Sequence, residues 1–482
     1  MATLVPIVKD KLGDICSSKN YRSIAISSLV LKLIDWIIID KYGHLLHTNE
    51  FQFGFQSSSS TSLCSWLVFE TIDHYLRNGS VVYGCLLDCT KAFDTIEHSI
   101  LFEKLLNAGL PPIILRILIY IYRNQTAIVQ WNGTYSSEFP IRNGVRQGAV
   151  ISPLFFSFYM DNLFDSLSKS GSGCHIASYY SGCFGYADDL FLISPSRKGL
   201  QDMLNIAEDY VQRHNISFST NPVVSKGKTK AIIFTRRKLR FTPVPLELNG
   251  NLLPWVEDAK YLGNFIENVP TGLSMDVLRK RAMYIEKNME LMQEFPFAHP
   301  ELKCRINRIY NSAFPGSVLY DFASDAVKQL ENSWSVSVRK MWELPMQAHR
   351  FLIEPLSGVH AHVMVIIRFI KFLQGMLKSD KRAVHVMLRK VVQNASSTTG
   401  KNLRLVQDLI GEKCDLLTVS PNWLKKKLSF KQIPDHEVWR VNLIKEVTDI
   451  RHDVLYLQSE EETETFLNHE QLKDIVNLVS CI

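Results

Sequence analysis

Two acidic side chains, Asp188 and Asp189, stand next to one another in the run Tyr186-Ala187-Asp188-Asp189, between two apolar segments. Charge at such a place constrains the fold more than any other feature of the chain. Residues 183–186 and 190–193 read as two strands, so the acidic pair occupies the turn of a hairpin. Like charges held side by side repel, and each raises the pKa of the other. A cation between them relieves the repulsion, and hard divalent ions such as Mg²⁺ prefer carboxylate oxygen. A third acid lies far upstream, where Asp88 ends the apolar run 81–87. Three carboxylates at the ends of buried strands are what a two-metal phosphoryl-transfer site requires, with ions roughly 3.5–4 Å apart.

Composition bounds this reading. The 482 residues suffice for two or three domains. A hydrophobic content of 46% and a charged content of 21% are those of an ordinary globular protein. The net charge of +6 is compatible with a polyanionic partner without demanding one. The nine cysteines are scattered and none forms a C-x-x-C pair, which argues against a zinc site and for reduced, buried thiols. Residues 1–10 lack the features of a signal peptide. The most apolar stretch, 29–39, is interrupted by Lys32 and Asp35 and is too short to span a bilayer. The expectation is an intracellular protein, in cytoplasm or nucleus, neither secreted nor membrane-bound.

Periodicity predicts helices over 27–46 and 61–77, the second stopped by Asn78-Gly79. Residues 81–87 then read as a strand buried on both faces. Helices follow over 100–107 and from Pro112 to Arg123, then a hairpin over 127–139 turning at Asn132-Gly133. Gly144 to Gly148 form a short loop before a helix expected to be capped by Ser152, with Pro153 at its first position. Residues 171–182 read as a Ser/Gly-rich loop, 200–213 as a helix, and 231–234 and 245–248 as short strands. Beyond Ser274 the pattern is mostly helical. Strands scattered among helices predict an α+β fold rather than a regular βαβ alternation.

The acidic turn is one of several segments in a fixed order. Asn20-Tyr21-Arg22-Ser23-Ile24-Ala25 comes first, then Gln52-Phe53-Gly54-Phe55, then Leu87-Asp88-Cys89-Thr90-Lys91-Ala92-Phe93-Asp94-Thr95. Gly144-Val145-Arg146-Gln147-Gly148-Ala149-Val150-Ile151-Ser152-Pro153-Leu154 precedes Tyr186-Ala187-Asp188-Asp189, and Lys228-Thr229-Lys230 and Tyr261-Leu262-Gly263 follow it. Together these resemble the reverse transcriptase of non-LTR (LINE-type) retrotransposons, over roughly residues 5–270. The resemblance implies a right-hand polymerase of fingers, palm and thumb. Such an enzyme is an RNA-directed DNA polymerase that adds dNTPs to a DNA primer on an RNA template, with two Mg²⁺ ions or Mn²⁺ in their place.

It also implies roles for single residues. Asp88 and Asp188 would be the principal metal ligands, with Asp189 the second acid of the pair. Phe93 would be a steric gate beneath the sugar, excluding a 2′-hydroxyl; a core aromatic is the alternative. Gly148 would allow close backbone approach to the nucleotide, beside the amide of Gln147. Arg22 would contact the triphosphate. Lys228, or Lys226, would be a general acid to pyrophosphate, or else a solvated loop lysine. Tyr261, Leu262 and Gly263 would form the primer grip, or a plain hairpin with a buried tyrosine.

Residues 1–270 would then be fingers and palm, 271–345 a helical thumb-like segment, and 346–482 a helical region of unknown role. The run Arg279-Lys280-Arg281 is expected to put a basic helix face on the duplex backbone. Some positions depart from the family pattern. Gln56 stands where Arg is common and Ser23 where Pro is common. The stretch before the first motif leaves no room for the upstream endonuclease domain of active elements. A truncated, catalytically weak nucleic-acid-binding remnant is therefore the alternative reading.

Overall fold

The computed structural model describes the chain apart from residues 11–12, 91, 147, 221–227, 238, 240–242, 269–272, 313, 350–351, 359, 395, 412–414, 429–440, 443, 450–451 and 453–482. The expectations placed on Gln147 and Lys226 lie outside the described residues. Two compact units emerge, residues 1–259 with 380–387, and residues 260–379 with 388–482.

The first unit opens on β1 (Ala2–Val8) and β2 (Tyr21–Ile26), then α1 (Leu29–Tyr42) and α2 (Thr61–Arg77). β3 (Val82–Asp88) follows, then α3 (Ala92–Thr95), α4 (His98–Asn107) and α5 (Pro112–Arg123). β4 (Thr126–Trp131), β5 (Thr134–Tyr135) and β6 (Phe139–Pro140) complete one sheet with β1 and β2, in the order β2-β1-β4-β5, with β6 beside β4. The hairpin between β4 and β5 turns at Asn132 and Gly133, both at positive φ, as a type I′ turn requires.

α6 (Ser152–Lys169) leads through β7 (His175–Ile176) and β8 (Tyr179–Tyr180) to the acidic hairpin, β9 (Cys183–Tyr186) and β10 (Asp189–Ser194). α7 (Arg197–Arg213), β11 (Lys230–Phe234), β12 (Leu246–Leu248), β13 (Asn251–Leu253) and β14 (Trp255–Val256) close the continuous part of the unit. The second sheet runs β14-β11-β3-β10-β9, so β3 is central and flanked by antiparallel β10 and β11. Helices α2, α6 and α7 pack on it. Its core includes Trp66, Phe155, Phe191 and Phe234, all fully buried. The α+β fold expected from the sequence is present.

Three local readings need correction. Ser152 is the first residue of α6 rather than its cap; Ile151 holds the cap position without a side-chain acceptor, and Pro153 follows where a missing N–H needs no partner. The loop expected over 171–182 carries the short β7–β8 hairpin. α1 does form, but of its apolar residues only Ile38 is buried. Leu29 is 82% and Trp36 60% exposed, whereas Asp35 is 1% exposed.

In the second unit, β15 (Asp258–Tyr261), which begins at the boundary, and β16 (Asn264–Glu267) form a two-stranded hairpin. The rest is helical, from α8 (Ser274–Glu294) onward, with Trp334 stacked on Tyr284 at 5.8 Å in the core. The basic run at the start of α8 is engaged inside this unit. Arg279 lies 3.7 Å from the centroid of Phe265, and Lys280 Nζ donates to Asp276 at 2.6 Å and to Asn264 at 2.9 Å. Arg281 Nε donates to Ser333 at 2.7 Å. The expected basic face for a duplex is therefore not what these three side chains form: Asp276 is fully buried, and its charge draws Lys280 inward. Among the described residues no helix is long and apolar enough to cross a membrane.

Candidate active site

Register brings the distant acids together. β3 and β10 pair antiparallel with Asp88 directly opposite Asp189, and β10 pairs with β9 so that Asp189 also faces Tyr186. Directly opposed residues share one face of a sheet with Cβ atoms about 4.5–5.5 Å apart. Asp188 occupies the turn immediately before β10. Backbone bonds fix the end of β3: the Asp88 carbonyl accepts from Ser219 N at 2.8 Å, and Thr90 N donates to Ser217 at 2.8 Å.

The electrostatics follow from this crowding. Desolvation raises the pKa of Asp188, the Asp88 charge raises it further, and Lys228 and Arg22 pull it back. Asp189 is pushed up to about 6, first by desolvation and then by the charges of Asp188 and Asp88, with Lys228 opposing. Burial, then all three carboxylates, hold the Cys89 thiol protonated. Lys228 Nζ sits 3.3 Å from both oxygens of Asp88. Arg22 is exposed on β2 and in electrostatic reach of Asp188.

The donors are hard oxygen, their mutual repulsion favours a cation, and one cation already lies against Asp88. That chemistry fits Mg²⁺ or Mn²⁺. Among the described residues, however, no three Asp, Glu, His or Cys side chains are grouped as they would be around one ion. The carboxylates are neighbours at one end of the sheet.

Stability should respond to this repulsion. Asp189 has a folded pKa above its unfolded value near 3.9. Its favourable contribution is therefore fully present below the unfolded pKa and lost as pH rises through about 6. In EDTA, Asp189→Asn should raise the melting temperature at pH 7.5, and the gain should vanish by pH 4.5. Melting curves at the two pH values check this; an equal gain at both would remove the charge from the account.

The other expected site residues are each held by local contacts. Phe93, on α3, is half-buried and stacks on Phe156 at 4.9 Å, with Phe55 edge-on at 6.4 Å. The glycine loop docks on α3: Gly144 N donates to Ile96 at 2.8 Å and Val145 N to the Phe93 carbonyl at 2.7 Å. A Cβ at Gly148 (φ +106°) would stand 2.6 Å from the Ala25 carbonyl oxygen of β2. Tyr261 is buried, and Leu262 and Gly263 turn at φ +45° and +84° between β15 and β16. The turn of this hairpin belongs to the second unit.

Sequence reasoning assigned no role to two side chains that shape the site. Gln52 is fully buried and clamps the acidic turn. Its Oε1 accepts from Ala187 N at 3.0 Å and from Gly54 N at 2.8 Å, and its Nε2 donates to the Ala187 carbonyl at 3.2 Å. Ala187 sits at φ +57°, a costly conformation for a residue with a Cβ, so such support is needed. A Cβ on Gly54 would meet Ala187 N at 2.2 Å. The second side chain is Asp35, which pairs with Arg146 of the glycine loop at 3.2 Å, both side chains 1% exposed. Burial raises the Asp35 pKa, and Arg146 then lowers it without cancelling the rise. The one signal in the sequence was a charged residue, Asp35, set between the apolar Ile34 and Trp36 in the middle of a helix.

A family described as reverse transcriptase (RNA-dependent DNA polymerase) matches residues 8–264, more than half the chain. The chain is 31% identical over 189 residues to a retrovirus-related Pol polyprotein from a type-1 retrotransposable element R2 of Nasonia vitripennis, covering 38% of this chain and 18% of that one. It is 26% identical over 189 residues to the RNA-directed DNA polymerase from mobile element jockey of Drosophila funebris, covering 38% and 19%. The chain thus spans under a fifth of these curated relatives. Among solved structures, apo telomerase from Candida tropicalis is similar at a TM-score of 0.36 and 11% identity, over 88% of this chain and 71% of that one. Reverse transcriptases generally use divalent metal ions. With its acids, glycine loop and fingers motif all inside the matched segment, the chain belongs to the reverse transcriptase family, and the relatives it matches are polymerases of non-LTR retrotransposons.

Proposed function

We propose that the chain is an RNA-directed DNA polymerase, extending a DNA primer on an RNA template with dNTPs. The observation that carries this reading is the register of β3 against β10, which sets Asp88 opposite Asp189 beside Asp188. Asp88 and Asp188, with Asp189, would hold the divalent ions. When bound, such ions neutralise the triphosphate and lower the pKa of the primer hydroxyl.

The chain's own residues do the rest. Arg22 sets its guanidinium fork on phosphate oxygens. Gly148, at a φ no L side chain favours, brings backbone close to the nucleotide next to Gln147. The primer hydroxyl gives its proton to water and its oxygen bonds to the α-phosphorus; the bond from that phosphorus to pyrophosphate breaks, and Lys228 delivers a proton to this leaving group. Tyr261, Leu262 and Gly263 support the primer end. Residues 271–345 act as the thumb, and 346–482 form a helical extension. The protein works inside the cell, where its template and dNTPs are.

Purified protein with poly(A), oligo(dT) and labelled dTTP should give Mg²⁺-dependent extension that EDTA stops. Retained duplex binding without extension would favour a decayed remnant. Phe93 tests the sugar contact separately. Its ring is held between Phe156 and Phe55, so Phe93→Val should open space without moving the backbone. Ribonucleotide incorporation relative to dNTP should then rise on the order of 10-fold. An unchanged ratio would return Phe93 to the core.

A further inference from the structure

We infer that Lys381 is a positioning residue for the acidic turn, acting from well outside the segment that the reverse transcriptase family matches. That segment ends at residue 264, whereas Lys381 lies with residues 380–387 in the first unit. Lys381 is 8% exposed. Its Nζ donates to the Gln52 carbonyl at 3.0 Å and to the Glu50 carbonyl at 3.1 Å, and stands 4.8 Å from the centroid of Phe53.

A buried ammonium is costly unless its protons find acceptors, and an apolar side chain would fill the same volume more cheaply. The charge is kept between two carbonyls and a ring face, where it fixes the path of residues 50–53. On its other side that segment holds the acidic hairpin by three routes. The Gln52 amide grips both backbone groups of Ala187, Phe53 N donates to Gly185 at 2.7 Å, and Gly185 N donates to Phe51 at 2.8 Å. Lys381 is thus one side chain away from the residue preceding Asp188. The bonds run from Lys381 to the Gln52 backbone, and from the Gln52 side chain to Ala187. Ala187 is also the strained residue whose φ needs outside support.

The catalytic consequence rests on the polymerase reading, but the link itself is measurable without activity. In the full chain, Lys381→Met should speed amide hydrogen exchange of residues 183–190 on the order of 10-fold while residues 197–213 exchange as in the wild type. Lys381→Gln, which keeps a neutral amide N–H₂ but no charge, should give an intermediate acceleration and stands in if the Met variant does not fold. Primer extension by either variant should show a lower kcat with an unchanged KM for dTTP. In a Gln52→Ala background, Lys381→Met should add little, because both act through one chain of bonds. Unchanged exchange at 183–190, or equal acceleration across the protein, would overturn the inference. A wild type that extends no primer sinks the polymerase reading alone, and the exchange result still decides the role of Lys381.

Discussion

Asp188→Ala should lower Mg²⁺-dependent primer extension by on the order of 10³-fold or more, with duplex binding retained. Removing an ion from a phosphoryl-transfer site costs several kcal/mol of transition-state stabilisation, and each ~1.4 kcal/mol is tenfold in rate. The fold should survive the substitution. Asp188 lies in the turn, half-buried, and its charge is already disfavoured by burial and by Asp88. Deleting it relieves repulsion, so the variant should melt no lower than the wild type in EDTA. Single-turnover extension and a melting curve on one preparation separate the two effects. A fall of less than tenfold would take Asp188 out of the ion-holding set. Loss of stability alongside activity would assign it to the scaffold.

The second large effect is on stability. Asp35→Ala leaves the Arg146 guanidinium buried without its carboxylate, at 1% exposure. Breaking a buried pair from one side typically costs about 3–5 kcal/mol. Urea titration should show that loss as a lower midpoint. The double variant Asp35→Leu with Arg146→Met should recover most of it, since no charge is then left stranded. Arg146 sits inside the glycine loop, whose neighbours Gly144 and Val145 hold α3 and with it Phe93. The single variant should therefore discriminate sugars less well in the folded fraction. A loss under ~1 kcal/mol would mean that water reaches the guanidinium.

Local signals in the sequence located most elements that depend on neighbours a few residues apart. α2 covers Thr61–Arg77 and β9 covers Cys183–Tyr186, as periodicity and β-rich runs indicate. α7 begins three residues before the expected start because Ser196 accepts from Gly199 N and caps the helix there. What stayed hidden depends on partners far along the chain. β2 carries no turn signal and no clean alternation, yet it pairs with β1, and β1 pairs parallel to β4 more than 100 residues on. Much of the apolar surface of α1 stays exposed, while Asp35 is buried in an ion pair with Arg146. Arg279, Lys280 and Arg281 looked like a phosphate-binding face because sequence does not reveal that Asp276, Phe265 and Ser333 receive them. The acids were legible as candidates; their juxtaposition followed from the family resemblance and is realised in the ladder of β3 and β10.

That ladder has a consequence for how such a chain can change over generations. Side chains alternate sheet faces with a period of two, so a single inserted or deleted codon within β3 or β10 would turn one acid toward the opposite layer while leaving the other in place. Point substitutions along these strands would adjust the centre by degrees, whereas length changes there would dismantle it at a stroke. Variation in length is tolerated better at turns away from the ladder such as that at Gly79, where a Cβ would meet nothing within 4 Å.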